Sequence, residues 1–127
     1  FSRESRQAFW GPRFEGMDAL LQEKTLLEVC AVQWARSVQA ATRAFETIQA
    51  SRVCRLRYET FVAGPEHELR RILSFLGIGA STEQVNAAVQ AVSNANVGKW
   101  RTVLNEATLR AIEPVTRDVL EAEGYAW

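Results

Sequence analysis

Two short stretches hold residue types that could do chemistry. The first is NVGKWR, from Asn96 to Arg101, which groups Gly98, Lys99 and Arg101. A glycine lets backbone approach a ligand closely and can turn its amide toward an oxyanion. Lysine and arginine add charge-assisted hydrogen bonds of the kind phosphate accepts. Trp100 could anchor the loop, plug the core or stack on a base. Asn105 is expected to cap a final helix, whose N-terminus adds partial positive charge nearby. The competing view is a solvated basic loop. The second stretch is RLRYET, from Arg55 to Thr60. Here Tyr58 and Glu59 close a predicted strand, and parallel strands bind ligands at their carboxyl ends. Otherwise Arg55 and Arg57 are solvated and Tyr58 fills core.

Self-contained catalysis finds little support. The only histidine, His67, falls in the first turn of a predicted helix between two glutamates, where a general base would lack an orienting cleft. No Ser/His/Asp pattern, metal-ligand cluster or Gly-Lys-Ser/Thr phosphate loop occurs in the sequence. The two cysteines, Cys30 and Cys54, lack metal-like spacing. The expectation is that both are reduced and buried, Cys30 on a helix and Cys54 in the strand, with a disulfide between them left open because spacing does not decide it.

The elements that must position these residues fit one domain's length, 127 residues. Fifteen basic and fifteen acidic residues cancel, so no global field attracts nucleic acid or an anionic membrane. No nucleic-acid partner is expected, and no apolar run reaches the ~18 residues of a membrane span. The N-terminal FSRESRQAFW has no apolar signal core and starts on Phe1 rather than Met. The chain is therefore expected to be a piece of something longer.

Phe9–Phe14 (FWGPRF) should be an irregular anchor, because Gly-Pro breaks regular structure. Gly16–Lys24 predicts a short helix through Met17, Leu20 and Leu21. Thr25 and Glu28 form a capping box that opens a helix to Ile48. Its apolar stripe is Leu27, Cys30, Ala31, Trp34, Val38, Ala41, Phe45 and Ile48. Arg52–Tyr58 alternates as a strand, with Cys54, Leu56 and Tyr58 on one face. Pro65 and Gly77 bound a helix whose inner face is Leu69, Ile72, Leu73 and Leu76. Ser81 and Gln84 cap another, with Val85, Ala88, Val89 and Val92 inward. Ser93–Arg101 reads as a polar loop. The last helix carries Leu109, Ile112, Val115, Val119 and Leu120; Pro114 should kink or split it, and Gly124 should close it. The fold class as the chain stands is mainly α, with about four or five helices and one short strand.

Three segments together resemble a known family. RLRYETFVAGPEHELRRILSFLGI is similar to the Arg-Tyr-Glu strand, proline and Phe-Leu-Gly helix of sulfotransferases that use 3′-phosphoadenosine 5′-phosphosulfate (PAPS). NVGKWR, followed by a helix ending EGYAW, resembles the end of the same family. VCAVQWARSVQAA resembles its Trp-centred helix before that strand. The likeness is to bacterial and Golgi-type members, including tyrosylprotein and carbohydrate sulfotransferases, and runs from Phe9 onward.

The resemblance implies the C-terminal part of an α/β, P-loop-like parallel-sheet fold. It also implies PAPS as sulfuryl donor to a hydroxyl or amine. The family's 5′-phosphosulfate loop and catalytic base have no counterpart in these residues, so the chain should be inactive alone and bind the donor weakly. Carried over by position, Tyr58, Ser93, Gly98 and Lys99 would contact donor nucleotide; Arg101 joins them on its charge. Where other members carry Arg-Lys-Gly before the late loop, this sequence has SNAN. The expected partner is the missing N-terminal half or a second copy of the chain. A bacterial member would favour the cytoplasm. Two other functions stay open: a non-catalytic helical module self-associating through its unpaired strand, and a small-anion binder resting on NVGKWR alone.

Overall fold

The structure, a computed structural model, describes residues 11–126. Among them are seven α-helices and a 3-10 turn, with no strand. The chain divides into two compact units. One takes residues up to Glu46 together with those from Glu106; the other runs from Thr47 to Asn105.

The first unit holds α1 (Met17–Glu23), α2 (Leu26–Glu46) and α7 (Glu106–Ala122), with α1 and α7 both packed on α2. The capping box opening α2 is present. The Thr25 amide donates to Glu28 Oε2 at 2.9 Å, and the Glu28 amide donates to Thr25 Oγ1 at 3.3 Å. These bonds, led by the one from the Thr25 amide, hold the Glu28 carboxyl below the usual carboxylate range. The loop before α1 is tied to α2 rather than inserted in core. Gln33 Nε2 donates to the Pro12 carbonyl at 2.7 Å and Arg36 Nη1 to the Glu15 carbonyl at 2.9 Å. The Arg36 guanidinium also lies over the Phe14 ring, 4.5 Å from its centroid. The anchoring expected of Phe9 and Trp10 lies outside the described residues.

The apolar stripe of α2 departs from expectation. Its most buried residues are Val29, Ala31 and Ala35, of which only Ala31 belongs to the expected inner face. Leu26, Leu27, Trp34 and Phe45 are exposed, and so is Cys30, which was expected inside. Helical spacing shows that a face is apolar; it does not show that anything covers it. Neither cysteine forms a disulfide.

α7 runs unbroken through Pro114 rather than splitting there. The buried Thr116 returns its hydroxyl to the Ile112 carbonyl at 3.0 Å, which satisfies it without a partner from outside the helix. Gly124, at φ 75°, lets the chain turn back, and the Tyr125 amide donates to the Leu120 carbonyl at 2.8 Å.

In the second unit, α3 (Tyr58–Ala63) and α5 (Thr82–Val89) both pack on α4 (Pro65–Leu76), and α6 (Trp100–Val103) follows. The bounds of α4 match the expected proline start and glycine stop, with Gly77 left-handed at φ 68°. The Ser81–Gln84 capping box is reciprocal. Val85 and Val89 are buried as expected, whereas Ala88 and Leu76 are exposed.

The expected strand is corrected. Ala50–Arg52 is a 3-10 turn, and Tyr58 begins α3. Between them the backbone is extended, with Val53 at φ −121°, ψ 118° and Arg57 at φ −97°, ψ 133°. The local conformation is that of a strand, but a strand also needs a ladder. No described segment supplies one.

Candidate functional site

The residues singled out by sequence all fall in the second unit. The late loop places three of them side by side. Gly98 adopts φ 73°, a left-handed conformation that costs a side-chain-bearing residue energy. The Arg101 guanidinium folds back against it: a β-carbon built on Gly98 would lie 2.9 Å from Arg101 Nη1. The same guanidinium stacks on its neighbour, 4.4 Å from the Trp100 ring centroid. Trp100 is exposed, so it is neither a core plug nor buried under the loop. Its residues 100–103 form the short α6 instead of the expected polar loop, with the Thr102 amide bonded to the Lys99 carbonyl at 3.1 Å. Ser93 stands at the loop's start and accepts the Ala95 amide at 3.2 Å.

Charge in this loop is one-sided. From Ala91 to Asn105 the sequence contains Lys99 and Arg101 and no acidic residue. Among the described residues neither cation forms an ion pair, and both side chains are exposed. An uncompensated cationic loop beside left-handed glycine backbone can receive an oxyanion of phosphate or sulfate type.

Tyr58 is half exposed on the first turn of α3, and no hydrogen bond or ring contact joins it to the late loop among the described residues. The structure thus groups Gly98, Lys99 and Arg101, sets Ser93 at the head of the same loop, and leaves Tyr58 on a separate element.

One polar cluster escaped sequence reasoning. Glu68, one of the two glutamates flanking His67 in the first turn of α4, is only 5% exposed. Its Oε2 accepts Arg71 Nε at 3.0 Å and Nη2 at 2.8 Å. Its Oε1 lies 3.2 Å from His67 Nδ1. Arg71 reaches further: Nη2 donates to the Arg55 carbonyl at 2.8 Å and Nη1 to Cys54 Sγ at 3.4 Å. The Arg71 bonds hold the Glu68 carboxyl below the usual carboxylate range, outweighing the opposing effect of burial, and Glu68 in turn raises the Arg71 guanidinium. The available signal was a Glu–Arg pair three apart on one helix.

Elsewhere, an open groove of ≈ 320 Å³ between α2 and α7 is lined by Val38, Thr42, Asp118, Val119 and Glu123 among others, and takes in none of the expected donor-contacting residues. Glu123 accepts the Thr42 hydroxyl there at 2.9 Å. Among the described residues no group of three or more His, Cys, Asp or Glu could hold a metal, and no helix is long and apolar enough to cross a membrane.

Comparison with known proteins gives one family. A model described as "Sulfotransferase family" matches residues 5–82, a span that includes Tyr58 and the Glu68–Arg71 pair but stops before the late loop. No curated protein and no solved structure matches the chain.

Proposed function

The chain belongs to the sulfotransferase family, and from that premise we propose that it carries the C-terminal part of a donor site for PAPS. The observation that supports this most is the late loop, where Lys99 and Arg101 form no ion pair among the described residues and stand beside left-handed Gly98. Lys99, Arg101 and the Gly98 backbone would hold the nucleotide's 3′-phosphate, and Ser93 would add a hydroxyl. Tyr58 would face the nucleotide from α3.

Transfer would be in-line at sulfur. The acceptor oxygen or nitrogen forms a bond to sulfur as the bond from sulfur to the phosphate oxygen breaks. The acceptor's proton leaves to a base. That base and the loop gripping the 5′-phosphosulfate lie outside these residues in this proposal, so the chain alone is inactive and binds nucleotide weakly.

The test is a titration with the desulfonated nucleotide, 3′-phosphoadenosine 5′-phosphate, followed residue by residue by NMR. Shifts are expected at Gly98, Lys99, Arg101 and Tyr58, with a Kd near about 1 mM, equivalent to roughly 4 kcal/mol. No localised shift at several millimolar ligand removes the donor-site proposal. Micromolar binding removes the part that places the rest of the site elsewhere.

A further inference from the structure

Among the described residues no strand pairs with the extended segment before Tyr58, and one side chain ties that segment to α4. The anchor is the Arg71 side chain, whose one guanidinium meets the Arg55 carbonyl, the Cys54 sulfur and the Glu68 carboxylate together. The Glu68 carboxylate is buried, and it takes two guanidinium hydrogens, Nε and Nη2. This geometry fixes the plane of the fork, which a single-point contact would leave free to turn. Nothing in helix formation requires such a pair. α4 already has its proline start, its first-turn acids and its glycine stop.

The fork acts on the Arg55 backbone as well as on the Cys54 side chain. Arg55 is three residues before Tyr58, and Arg57 and Tyr58 are where the chain changes from extended to helical. Where the Arg55 carbonyl sits therefore sets where α3 starts and which way its first residue faces. α3 itself is short and packs on α4, the helix that carries the fork.

We propose that Arg71, aligned by the buried Glu68, is a positioning residue for Tyr58: it fastens the Arg55 carbonyl and the Cys54 side chain to α4 and so places the tyrosine in the donor site. The proposal rests on the reading that Tyr58 faces the nucleotide. It assigns no contact with nucleotide to Arg71 or Glu68.

The experiment compares the chain with Arg71→Gln, Arg71→Lys and Glu68→Gln, all in a Cys30→Ser background so that Cys54 is the only thiol. Two readouts are taken. The first is the rate at which iodoacetamide alkylates Cys54. In Arg71→Gln it is expected to rise about tenfold, a factor corresponding to ~1.4 kcal/mol of lost local protection. Glu68→Gln leaves the fork unaligned and gives a smaller rise. Arg71→Lys keeps the charge without the fork, so it should restore little.

The second readout is the NMR response to 3′-phosphoadenosine 5′-phosphate. In Arg71→Gln the shift at Tyr58 is expected to be lost while those at Gly98 and Lys99 persist. A residue that merely stabilised the unit would weaken all three together.

Wild-type alkylation rates in Arg71→Gln overturn the proposal, because the segment is then not held by the fork. Equal loss at Tyr58 and the late loop also overturns it, since the effect is then general. If the unmodified chain shows no nucleotide response, the donor-site reading falls and Tyr58 has no site to be placed in. The alkylation rates still report separately whether the fork holds the segment. Should Arg71→Gln fail to fold, Arg71→Lys carries both readouts, with the same selective loss at Tyr58 expected.

Discussion

Two single substitutions on α2, Val29→Ala and Leu26→Ala, test which side of the helix is packed. Val29 is fully buried at 0% exposure, while Leu26, one turn earlier on the same helix, is 69% exposed. Val29→Ala removes two buried carbon groups, worth ~0.8 kcal/mol each in transfer, or about 1.6 kcal/mol. Incomplete collapse of the space left behind adds roughly 0.5–1 kcal/mol. The better helix propensity of alanine returns about 0.5 kcal/mol. The net cost is about 2 kcal/mol. Leu26→Ala removes more carbon, but from a side chain already mostly in water, so about 0.5 kcal/mol or less is expected. Urea unfolding followed by circular dichroism reads the difference. With a slope near ~1.5 kcal/mol per molar, Val29→Ala lowers the midpoint by roughly 1.3 M and Leu26→Ala by about 0.3 M or less. Equal shifts, or a larger one for Leu26→Ala, would refute the burial pattern. The exposed stripe through Leu27, Cys30 and Trp34 would then be the packed one.

Other outcomes follow from the second unit. Gly98→Ala forces a β-carbon onto a left-handed backbone and displaces the Arg101 guanidinium 2.9 Å away. It should cost about 1 kcal/mol in urea unfolding and abolish the NMR response of the late loop to nucleotide. Ser81→Ala removes the acceptor for the Gln84 amide, and should cost about 1 kcal/mol with faster hydrogen exchange at Gln84. The Glu68 carboxyl is lowered by Arg71, so its stabilising contribution is fully present above the ordinary carboxylate range and drains away as pH falls through the lowered folded value. Urea midpoints measured downward from pH ~5 should therefore fall more steeply for the native chain than for Glu68→Gln, and parallel curves would contradict this.

Much of the helical skeleton was legible because its signals are local. Thr25 with Glu28 and Ser81 with Gln84 announce helix starts through bonds spanning three residues. Pro65 and Gly77 mark both ends of α4 through backbone geometry that neighbours cannot change. Gly98 was chosen for its conformational freedom and uses it.

Features that depend on distant partners were not legible. Alternation at Arg52–Tyr58 correctly indicates extended backbone, but whether that backbone is a strand depends on a segment the pattern does not contain. The stripe of α2 is apolar on inspection, yet the choice between Val29 and Leu27 as the inner residue is made by α1 and α7. The Glu68–Arg71 spacing is local, but the burial of Glu68 and the reach of Arg71 to the Arg55 carbonyl, sixteen residues from Arg71, depend on how the extended segment lies against α4.

The bare stripe of α2 also bears on how the protein behaves in a tube. Leu26, Leu27, Trp34 and Phe45 face solvent on a chain whose acidic and basic residues cancel and whose isoelectric point is ≈ 6.8. Mutual repulsion is what ordinarily keeps molecules with sticky patches dispersed, and at neutral pH this molecule has almost none. Colloidal stability should therefore improve on either side of neutrality, with the alkaline side the safer one because it leaves the Glu68 carboxylate ionised. The buffer that suits many proteins is the one in which this chain is least protected from itself.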